Sequence, residues 1–328
     1  MKKDISLENN TIENVKWHTR QKHAFLEEYL KIWYEQVGKK PQVSLPTLDI
    51  FDLFASYGYC YCQEKKEGWK GSALLAADCL KNYDKGKILF LNTYNPDEKK
   101  LQIQREALEE NIANMNLPRR VEVLIESKPL EGVIDVATSH LNPDYPSLWI
   151  LDPYKPEALP WNVVEKICIL KGQHKNGKIR RPELFINLMT GILQRYTGIT
   201  NLKEDYVGLA LGMSTSEWQC KLKHHTDSGK NTREALILMY AEKLMEHYEK
   251  EPIILDVKAV EGNVVYTVFL CTDNDAGHYV MKLHRIPEYQ EWVKFEWEST
   301  AKRISNQKKQ TRKAAKNGQK QAFLDIYD

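Results

Sequence analysis

The chain has 328 residues, 42% of them hydrophobic and 28% charged, which is enough apolar material for a large core in one or two domains. No stretch is long and apolar enough to cross a bilayer, so we expect no membrane partner. The N-terminus, MKKDISLENN, lacks the apolar segment of a signal peptide, and we therefore expect a cytoplasmic protein. Six cysteines are scattered, and the one close pair, Cys60 and Cys62, has no second pair to complete a zinc site, so no metal is expected.

Helices and short apolar strands alternate along the first two thirds of the chain. A helix is predicted over 19–36, because Phe25, Leu26, Tyr29, Leu30 and Trp33 recur at intervals of three and four. Short apolar runs, typical of buried parallel strands, lie at 47–54, 87–91, 120–125, 148–151 and 183–188. Helices predicted at 72–81, 98–115 and 161–170 separate them. This order predicts a parallel sheet with helical crossovers.

The end of the predicted sheet is a hairpin. After an irregular stretch at 190–230, a helix at 231–249 leads into β-rich runs at 253–260 and 264–272, which are joined by Glu261, Gly262 and Asn263. A terminal hairpin of this kind closes the sheet of class I methyltransferases. We therefore predict an α/β fold with a doubly wound, mostly parallel, Rossmann-like sheet of the class I methyltransferase type. The predicted domain covers 1–300, with 190–230 as a lid or insertion, and a basic extension covers 301–328.

The turn after the first strand is the candidate cofactor site. It reads LDIFDLFASYG, and glycine is favoured in such turns because it lets backbone amides approach a ligand. Ser56 stands where a glycine is usual. For S-adenosylmethionine, the candidate contacts in this turn are Asp52, Phe54, Ala55 and Gly58, and an added Cβ at Gly58 is expected to intrude on the ligand. The ends of the next two strands supply Asn92 for the ribose hydroxyls and Glu126 for the adenine. The alternative is an ordinary strand, turn and helix.

The fourth strand ends in the candidate catalytic sequence, Asp152, Pro153 and Tyr154. In amine methylation, an acidic side chain and a proline carbonyl accept hydrogen bonds from the target amine while an aromatic ring stacks on the base. The carboxyl ends of strands one and four meet at the same edge of a doubly wound sheet, which brings this sequence to the predicted cofactor turn. The alternative is a strand end with a capping aspartate and a turn proline.

Two basic segments are candidate nucleic-acid contacts. The loop at 171–181 offers Lys175, Lys178, Arg180 and Arg181. From 301 to 320 there are eight Lys or Arg and no acid, and this segment contributes Lys309, Arg312, Lys313, Lys316 and Lys320, several of them at helical spacing. Solvated surface segments are the alternative in both places. His224 and His225 have no third ligand at diagnostic spacing, which favours a surface turn.

Several segments together resemble the three-Cys-motif partner proteins. They are Lys22-His23 and Tyr29-Leu30 in the opening helix, DLFASYG where the family tends to read DxFAGxG, Gly71-Ser72, LDPYKPEALPW, FINLMTG and VVYTVFLCTDNDAGHYVM. The resemblance implies a class I methyltransferase-like domain in a bacterial or phage-associated protein, often encoded beside a cysteine-motif partner. It leaves the biochemical activity poorly defined.

Two functional hypotheses follow. The first is methyl transfer from S-adenosylmethionine to an amine of a nucleic acid through Asp152, Pro153 and Tyr154. The second is a catalytically degenerate scaffold or recognition subunit of a bacterial multi-protein system such as phage defence. Ser56 and Asn92 favour the second hypothesis, and the Asp-Pro-Tyr sequence favours the first. The cleft discriminates between them, because a side chain such as Tyr57 filling the cofactor volume would favour the scaffold.

Overall fold

The apolar runs of the sequence form a seven-stranded central sheet. A computed structural model describes residues 12–33, 48–82, 86–173, 179–199, 204–259 and 262–273. These residues belong to a compact unit that spans Met1–Leu283, and the basic extension predicted at 301–328 lies outside the described residues. Along the described residues, no helix combines the length and the apolar character that a bilayer-spanning helix needs.

The strands in chain order are β1 (Glu13–Asn14), β2 (Leu48–Asp52), β3 (Tyr59–Cys62), β4 (Glu67–Lys70), β5 (Gly86–Asn92), β6 (Glu122–Glu126), β7 (Ser147–Leu151), β8 (Gly172–Gln173), β9 (Ile179–Arg180), β10 (Glu183–Leu188), β11 (Ile253–Lys258) and β12 (Val264–Cys271). The helices are α1 (Trp17–Trp33), α2 (Ser72–Lys81), α3 (Glu98–Ala113), α4 (Leu130–His140), α5 (Trp161–Cys168), α6 (Thr190–Tyr196), α7 (Tyr206–Leu211), α8 (Thr215–Asp227) and α9 (Thr232–His247). A short 3-10 helix covers Pro156–Ala158.

The central sheet has the order β11-β12-β10-β7-β2-β5-β6. The pairings among β10, β7, β2, β5 and β6 are parallel, whereas β12 runs antiparallel to both of its neighbours. The C-terminal hairpin therefore closes the sheet by inserting its second strand beside β10. This arrangement confirms the predicted doubly wound sheet of the class I methyltransferase type.

The middle of the sheet is the core of the unit. Every residue of β2, β7 and β10 is buried, which is why these strands read as continuous apolar runs. Phe51 of β2 stacks on Trp149 of β7, with 4.3 Å between the ring centroids. Helices α1 and α2 pack together, and α9 packs against α6 and α8. Burial of both faces of these strands holds their carboxyl ends in place, and the residues of the site lie at those ends.

Four parts of the chain differ from the sequence prediction. The 190–230 stretch is not irregular, because α6, α7 and α8 occupy most of its described residues. Helix α4 lies at Leu130–His140, where no helix was predicted. Strands β3 and β4 form an antiparallel hairpin, and β1 pairs in parallel with β3 to make a small separate sheet. The third strand was also predicted two residues too early, because it covers Glu122–Glu126 instead of 120–125.

The small sheet holds β1 against β3. Cys60, Cys62 and Trp69 form its buried cluster, with Val15 and Trp17 packed against them. Because β1 pairs with β3, the residues between β1 and α1 lie beside the turn that follows β2. The N-terminal segment thereby becomes one wall of the site.

Candidate functional site

A cavity of about 800 Å³ lies at the carboxyl ends of β2, β5, β7 and β10. This is the edge at which doubly wound sheets bind ligands, and the volume suits a ligand of cofactor size. The walls come from β1 and the start of α1, the turn after β2, the loop after β5, the start of α4 and the sequence after β7. Tyr57, which could have filled the cleft, is not among the residues that line it.

The turn after β2 has the backbone that the sequence pattern requires. The amide of Ala55 donates to the carbonyl of Asn92 at 2.8 Å, which holds the turn against the end of β5. Ser56, where the resembled family tends to have glycine, has φ +48°, in the left-handed region that favours glycine. Phe54, Ala55 and Ser56 all line the cavity. The serine therefore keeps a glycine-like backbone and adds a hydroxyl at the cavity wall.

Gly58 serves the turn differently from what the sequence predicts. Its φ is +83°, and a Cβ added there would meet Leu74 and Leu108 side-chain atoms at 3.3 Å. The added atom would thus enter the apolar core, not the ligand volume, although Gly58 does contribute to the cavity wall. The expectation that a larger side chain would intrude on a ligand without disturbing the fold is wrong at this position.

Asp52 lies beneath the turn and is not among the lining residues of the cavity. Its side chain is fully buried, and Oδ1 accepts a hydrogen bond from the amide of Phe54 at 3.0 Å. Burial raises the pKa of Asp52 to about 7, against hydrogen bonds from the Ser72 side chain and the Phe54 backbone that lower it. The contacts of this carboxyl are with the backbone and side chains of the turn and the start of α2.

The two residues predicted for the adenosine part occupy different surroundings. Asn92 lines the cavity, but its amide group donates to the carbonyls of Leu53 and Lys128 and accepts from the amide of Lys128. Glu126 is not among the lining residues and forms an ion pair with Lys128 at 3.1 Å. Binding of adenosine by these two side chains stays a prediction, and the internal bonds of Asn92 leave little capacity for ribose hydroxyls.

Gln104, Thr93 and Glu131 are among the polar residues of the cavity wall that sequence reasoning missed. Gln104 of α3 is buried, and among the described residues its Oε1 atom has no hydrogen-bond partner. The same holds for Oγ1 of Thr93, which follows β5. Glu131, in the first turn of α4, places a carboxylate at the same wall. Buried polar atoms in folded proteins are almost always hydrogen-bonded to protein or to ordered water, so these two atoms can bond to a molecule in the cavity.

Asp152 sits where β7 ends and is held by a group of donors. Its Oδ1 atom accepts hydrogen bonds from Lys22 Nζ at 2.6 Å and from Asn187 Nδ2 at 2.8 Å. Its Oδ2 atom faces Nε2 of His23 at 3.7 Å. Burial opposes ionisation of Asp152, but the Lys22 charge and the His23 and Lys22 hydrogen bonds outweigh it and hold the pKa well below its usual range. The carboxylate is therefore ionised at neutral pH.

The partners of Asp152 are themselves buried. The Lys22 side chain is 7% exposed, and its ammonium lies 5.3 Å from the centroid of the Tyr266 ring. His23 accepts a hydrogen bond on Nδ1 from the indole N–H of Trp69 at 2.9 Å, so Nδ1 carries no proton and Nε2 faces Asp152. Burial lowers the pKa of His23 and favours the neutral ring. The cluster thus contains one ammonium, one carboxylate and one neutral imidazole.

The position of Lys22 in the helix was a clue to this cluster. Lys22 lies on the same helix face as Leu26, Tyr29 and Leu30, all of which are buried. A lysine on an apolar face is rarely buried without a partner. That pattern indicates a buried counter-ion, but it does not say which acid supplies it.

The two residues after Asp152 extend along the cavity. Pro153 is buried, whereas Tyr154 is 54% exposed, and both line the cavity. The ammonium of Lys155 lies 5.6 Å from the centroid of the Tyr154 ring. The structure thus brings Asp152, Pro153 and Tyr154 to the same cavity as the cofactor turn, and their catalytic roles stay predictions.

Arg181 is the predicted nucleic-acid contact whose side chain lies within the described residues. It forms an ion pair with Asp273 at 2.7 Å and is 11% exposed, so its charge is already compensated within the fold. The side chains of Lys175, Lys178 and Arg180, and the basic residues Lys309, Arg312, Lys313, Lys316 and Lys320, lie outside the described residues.

The paired histidines do not form a surface turn. Both lie in α8, where His225 is buried with Nε2 3.7 Å from Glu242 and His224 is exposed. Across the part of the chain that the structure describes, no three histidine, cysteine or acidic side chains converge in a way that could hold a metal ion.

Comparisons with known proteins concern the fold. No protein-family model matches the sequence, and a search of curated proteins gives no significant match. A Klebsiella pneumoniae protein described as a candidate O-methyltransferase shares 10% identity at a TM-score of 0.39, over 78% of this chain and 88% of its own. The chain has a class I methyltransferase-like fold. The assignment rests on the order and directions of its own seven strands.

Two further solved structures are similar at the same level. A protein of Legionella pneumophila has 10% identity and a TM-score of 0.41, over 79% of this chain and 85% of its own. An O-methyltransferase from Bacillus cereus, solved in complex with S-adenosylhomocysteine, has 13% identity and a TM-score of 0.34, over 76% of this chain and 90% of its own.

Proposed function

We propose that the protein binds S-adenosylmethionine in the cavity and transfers its methyl group to an amine presented at Asp152, Pro153 and Tyr154. The observation that carries the proposal is an open cavity of about 800 Å³ that contains both the turn after β2 and an ionised carboxylate at the end of β7. A side chain that filled this volume would have favoured the scaffold. In the described part of the chain, neither Tyr57 nor another side chain closes it.

The residues of the wall fit the proposed cofactor. The turn at Phe54, Ala55 and Ser56 exposes backbone where the ligand would lie. The unpartnered atoms of Gln104 and Thr93 offer acceptors and a donor to the hydroxyls and nitrogens of a nucleoside. Glu131 can accept hydrogen bonds from ribose hydroxyls, the role that Asn92 cannot fully serve. When bound, the cofactor would supply an electrophilic methyl group on a sulfonium ion.

The protein's contribution to transfer is orientation. An ionised Asp152 accepts a hydrogen bond from the target amine and turns the nitrogen lone pair toward the cofactor site, and orientation of this kind is a large part of such catalysis. Tyr154 presents an exposed ring on which a planar base can stack. These features support a nucleic-acid amine as the substrate.

The basic extension at 301–328 adds sequence support for a nucleic-acid substrate. Deleting it is expected to weaken binding to all nucleic-acid sequences alike. The dependence of log affinity on log salt concentration should also become flatter, because a protein with fewer phosphate contacts releases fewer counterions when it binds. Equal salt slopes with and without the extension would remove these residues from the interface. We also propose, from the sequence, that the protein acts in the cytoplasm and has a three-Cys-motif protein as its partner.

Calorimetry with S-adenosylhomocysteine tests cofactor binding directly. Gln104→Met removes the unpartnered oxygen and is expected to weaken binding at least several-fold while leaving the melting temperature unchanged or higher. Gln102→Met, on the exposed face of the same helix, is the matched control and should change neither quantity. If the unmodified protein shows no binding at millimolar ligand, the cofactor proposal is wrong.

A second candidate function is a degenerate methyltransferase fold that acts as a recognition subunit of a bacterial system such as phage defence. Two observations favour it. The amide of Asn92 is consumed inside the fold, and Lys22 already occupies Oδ1 of Asp152. Incubation with tritiated S-adenosylmethionine and DNA, RNA or candidate partner proteins separates the two functions. Cofactor binding without incorporation into any of them would favour the recognition subunit.

A further inference from the structure

The N-terminal segment brings two opposite charges to the cavity beside the turn after β2. Glu13 of β1 and Lys22 of α1 both line it, and neither was a candidate site residue from the sequence. They reach the cavity because β1 pairs with β3 and α1 packs over the sheet edge. Ser56 and Gly58, both with positive φ, bring the backbone of the turn after β2 to the same cavity.

We propose that Glu13 and Lys22 form a zwitterion site that binds the amino-acid end of the cofactor, Glu13 taking the α-ammonium group and Lys22 the α-carboxylate. The inference rests on the proposed function and assigns the orientation of the ligand within the same cavity. It also gives the N-terminal segment a direct role in binding.

The surroundings of Glu13 support its part. Burial raises the pKa of its carboxyl, against a hydrogen bond from the Ser56 side chain and the charge of Lys22, which lower it. A partly buried carboxylate in a cavity gains from a cationic ligand, because the ligand replaces the solvation that burial removes. Ser56 belongs to the turn next to which the amino-acid end of the ligand would lie, so the hydroxyl links Glu13 to the cofactor turn.

Lys22 has donors to spare for a ligand. An ammonium group carries three N–H donors, and among the described residues the acceptor that it reaches is Oδ1 of Asp152 at 2.6 Å. Burial disfavours the charge of Lys22, but Asp152 and Tyr266 outweigh it and raise the pKa, so the side chain stays cationic. A carboxylate in the cavity can therefore bind to Lys22 without breaking its bond to Asp152.

The covalent structure of the ligand agrees with this placement. The transferred methyl group is attached to the sulfur that joins the amino-acid end to the adenosine. If Lys22 binds the carboxylate and also Asp152, one ammonium fixes the distance between the amino-acid end and the residue that orients the acceptor. In this orientation, the unpartnered Oε1 of Gln104 and Oγ1 of Thr93 would hydrogen-bond to the adenosine end.

Ligand variants test the site without disturbing the fold. We expect the unmodified protein to bind S-adenosylhomocysteine at least tenfold more tightly than 5′-methylthioadenosine, which lacks the amino-acid end. It should also bind S-adenosylmethionine more tightly than its decarboxylated form. Equal affinities within each pair would overturn the proposal while leaving cofactor binding intact. Failure of all four ligands to bind would overturn both the cofactor proposal and this site.

A protein variant then assigns the ammonium contact. Glu13→Gln should weaken S-adenosylhomocysteine about tenfold and leave 5′-methylthioadenosine within about twofold. Glu131→Gln, which changes a lining carboxylate contributed by α4, is the control and should affect the two ligands equally. If Glu13→Gln weakens both ligands alike, or neither, Glu13 does not bind the ammonium group. A thermal melt of each variant shows whether the fold is retained. If a variant does not fold, the ligand comparison in the unmodified protein still tests the proposal.

Discussion

Replacing Lys22 by methionine removes the cation that holds Asp152, and its effect on stability follows from the burial of the pair. The two side chains are 7% and 9% exposed and 2.6 Å apart, so little water can replace the lost ammonium. Breaking a buried pair from one side costs about 3–5 kcal/mol, because the remaining charge stays unpaired. In the double variant Lys22→Met/Asp152→Asn no such charge remains. The double variant should therefore be less destabilised than the sum of the single variants, by about 1–3 kcal/mol.

Urea unfolding of the four proteins measures this coupling. Lys31→Met is the matched control, because Lys31 lies on the same helix and pairs with Glu28 at 2.7 Å while 56% exposed. Its cost should be under about 1 kcal/mol. Additive effects of Lys22→Met and Asp152→Asn, or equal costs for Lys22→Met and Lys31→Met, would refute the reasoning. The pKa of Asp152 is depressed in the fold, so this stabilisation is present above its unfolded pKa of about 3.9 and is lost as the pH falls toward the folded pKa.

The same coupling decides how an activity assay of Asp152 variants should be interpreted. Asp152→Ala leaves the buried Lys22 ammonium without its counter-ion, so lost methyl transfer could reflect lost structure. The double variant removes both charges and separates the two causes. Because Lys22 is also proposed to bind the cofactor carboxylate, transfer is measured at a saturating cofactor concentration. If the double variant folds well but transfers nothing there, the Lys22–Asp152 pair is required for chemistry.

Two further predictions concern the turn after β2. The pKa of Asp52 is raised to about 7 by burial, so the folded state holds the proton more tightly than the unfolded state and loses stability as the pH rises from about 4 to about 7. Asp52→Asn should therefore stabilise the protein at pH 8, by up to about 4 kcal/mol, and have little effect at pH 4; an equal gain at both values would contradict this assignment. Gly58→Ala should cost about 1–3 kcal/mol, because φ is +83° and the added Cβ meets Leu74 and Leu108. Gly132→Ala, where nothing lies within 4 Å in helix α4, should instead stabilise by about 0.5–1 kcal/mol, and thermal melts of both variants check the contrast.

The centre of the sheet could be predicted because β2, β7 and β10 are buried on both faces. Such strands read as continuous apolar runs, and the glycine-containing link between β11 and β12 indicates the hairpin that closes the sheet. The parts that were missed lack a regular pattern. In α8 the buried residues are Trp218 and His225 alone, so its apolar face is too narrow to show periodicity. In the β3–β4 hairpin, the exposed charges from 64 to 67 obscure the alternation of buried and half-buried residues in β3.

The candidate site was predictable only in its local parts. Asp152 and the turn after β2 follow from short motifs and from the rule that the carboxyl ends of parallel strands meet. The partners of Asp152 come from distant positions, because Lys22 lies 130 residues earlier and Asn187 lies 35 residues later. Their convergence depends on how α1 docks on the sheet, and a single sequence contains no measure of that. Asn187 in particular sits inside an apolar strand, where its amide gives no indication of its partner.

The distance along the chain between Lys22 and Asp152 also bears on synthesis. A ribosome makes α1 early, yet the acid that neutralises its buried lysine and the asparagine that completes the group emerge more than a hundred residues later. Until then the apolar face of α1 has only α2 and nearby segments to cover it, and the lysine must stay hydrated. We therefore expect α1 to dock in its final position only after β7 and β10 have joined the sheet. The cavity wall formed by β1 and α1 would then be completed late in folding, and the nascent protein would pass through a stage in which the sheet exists but the site does not.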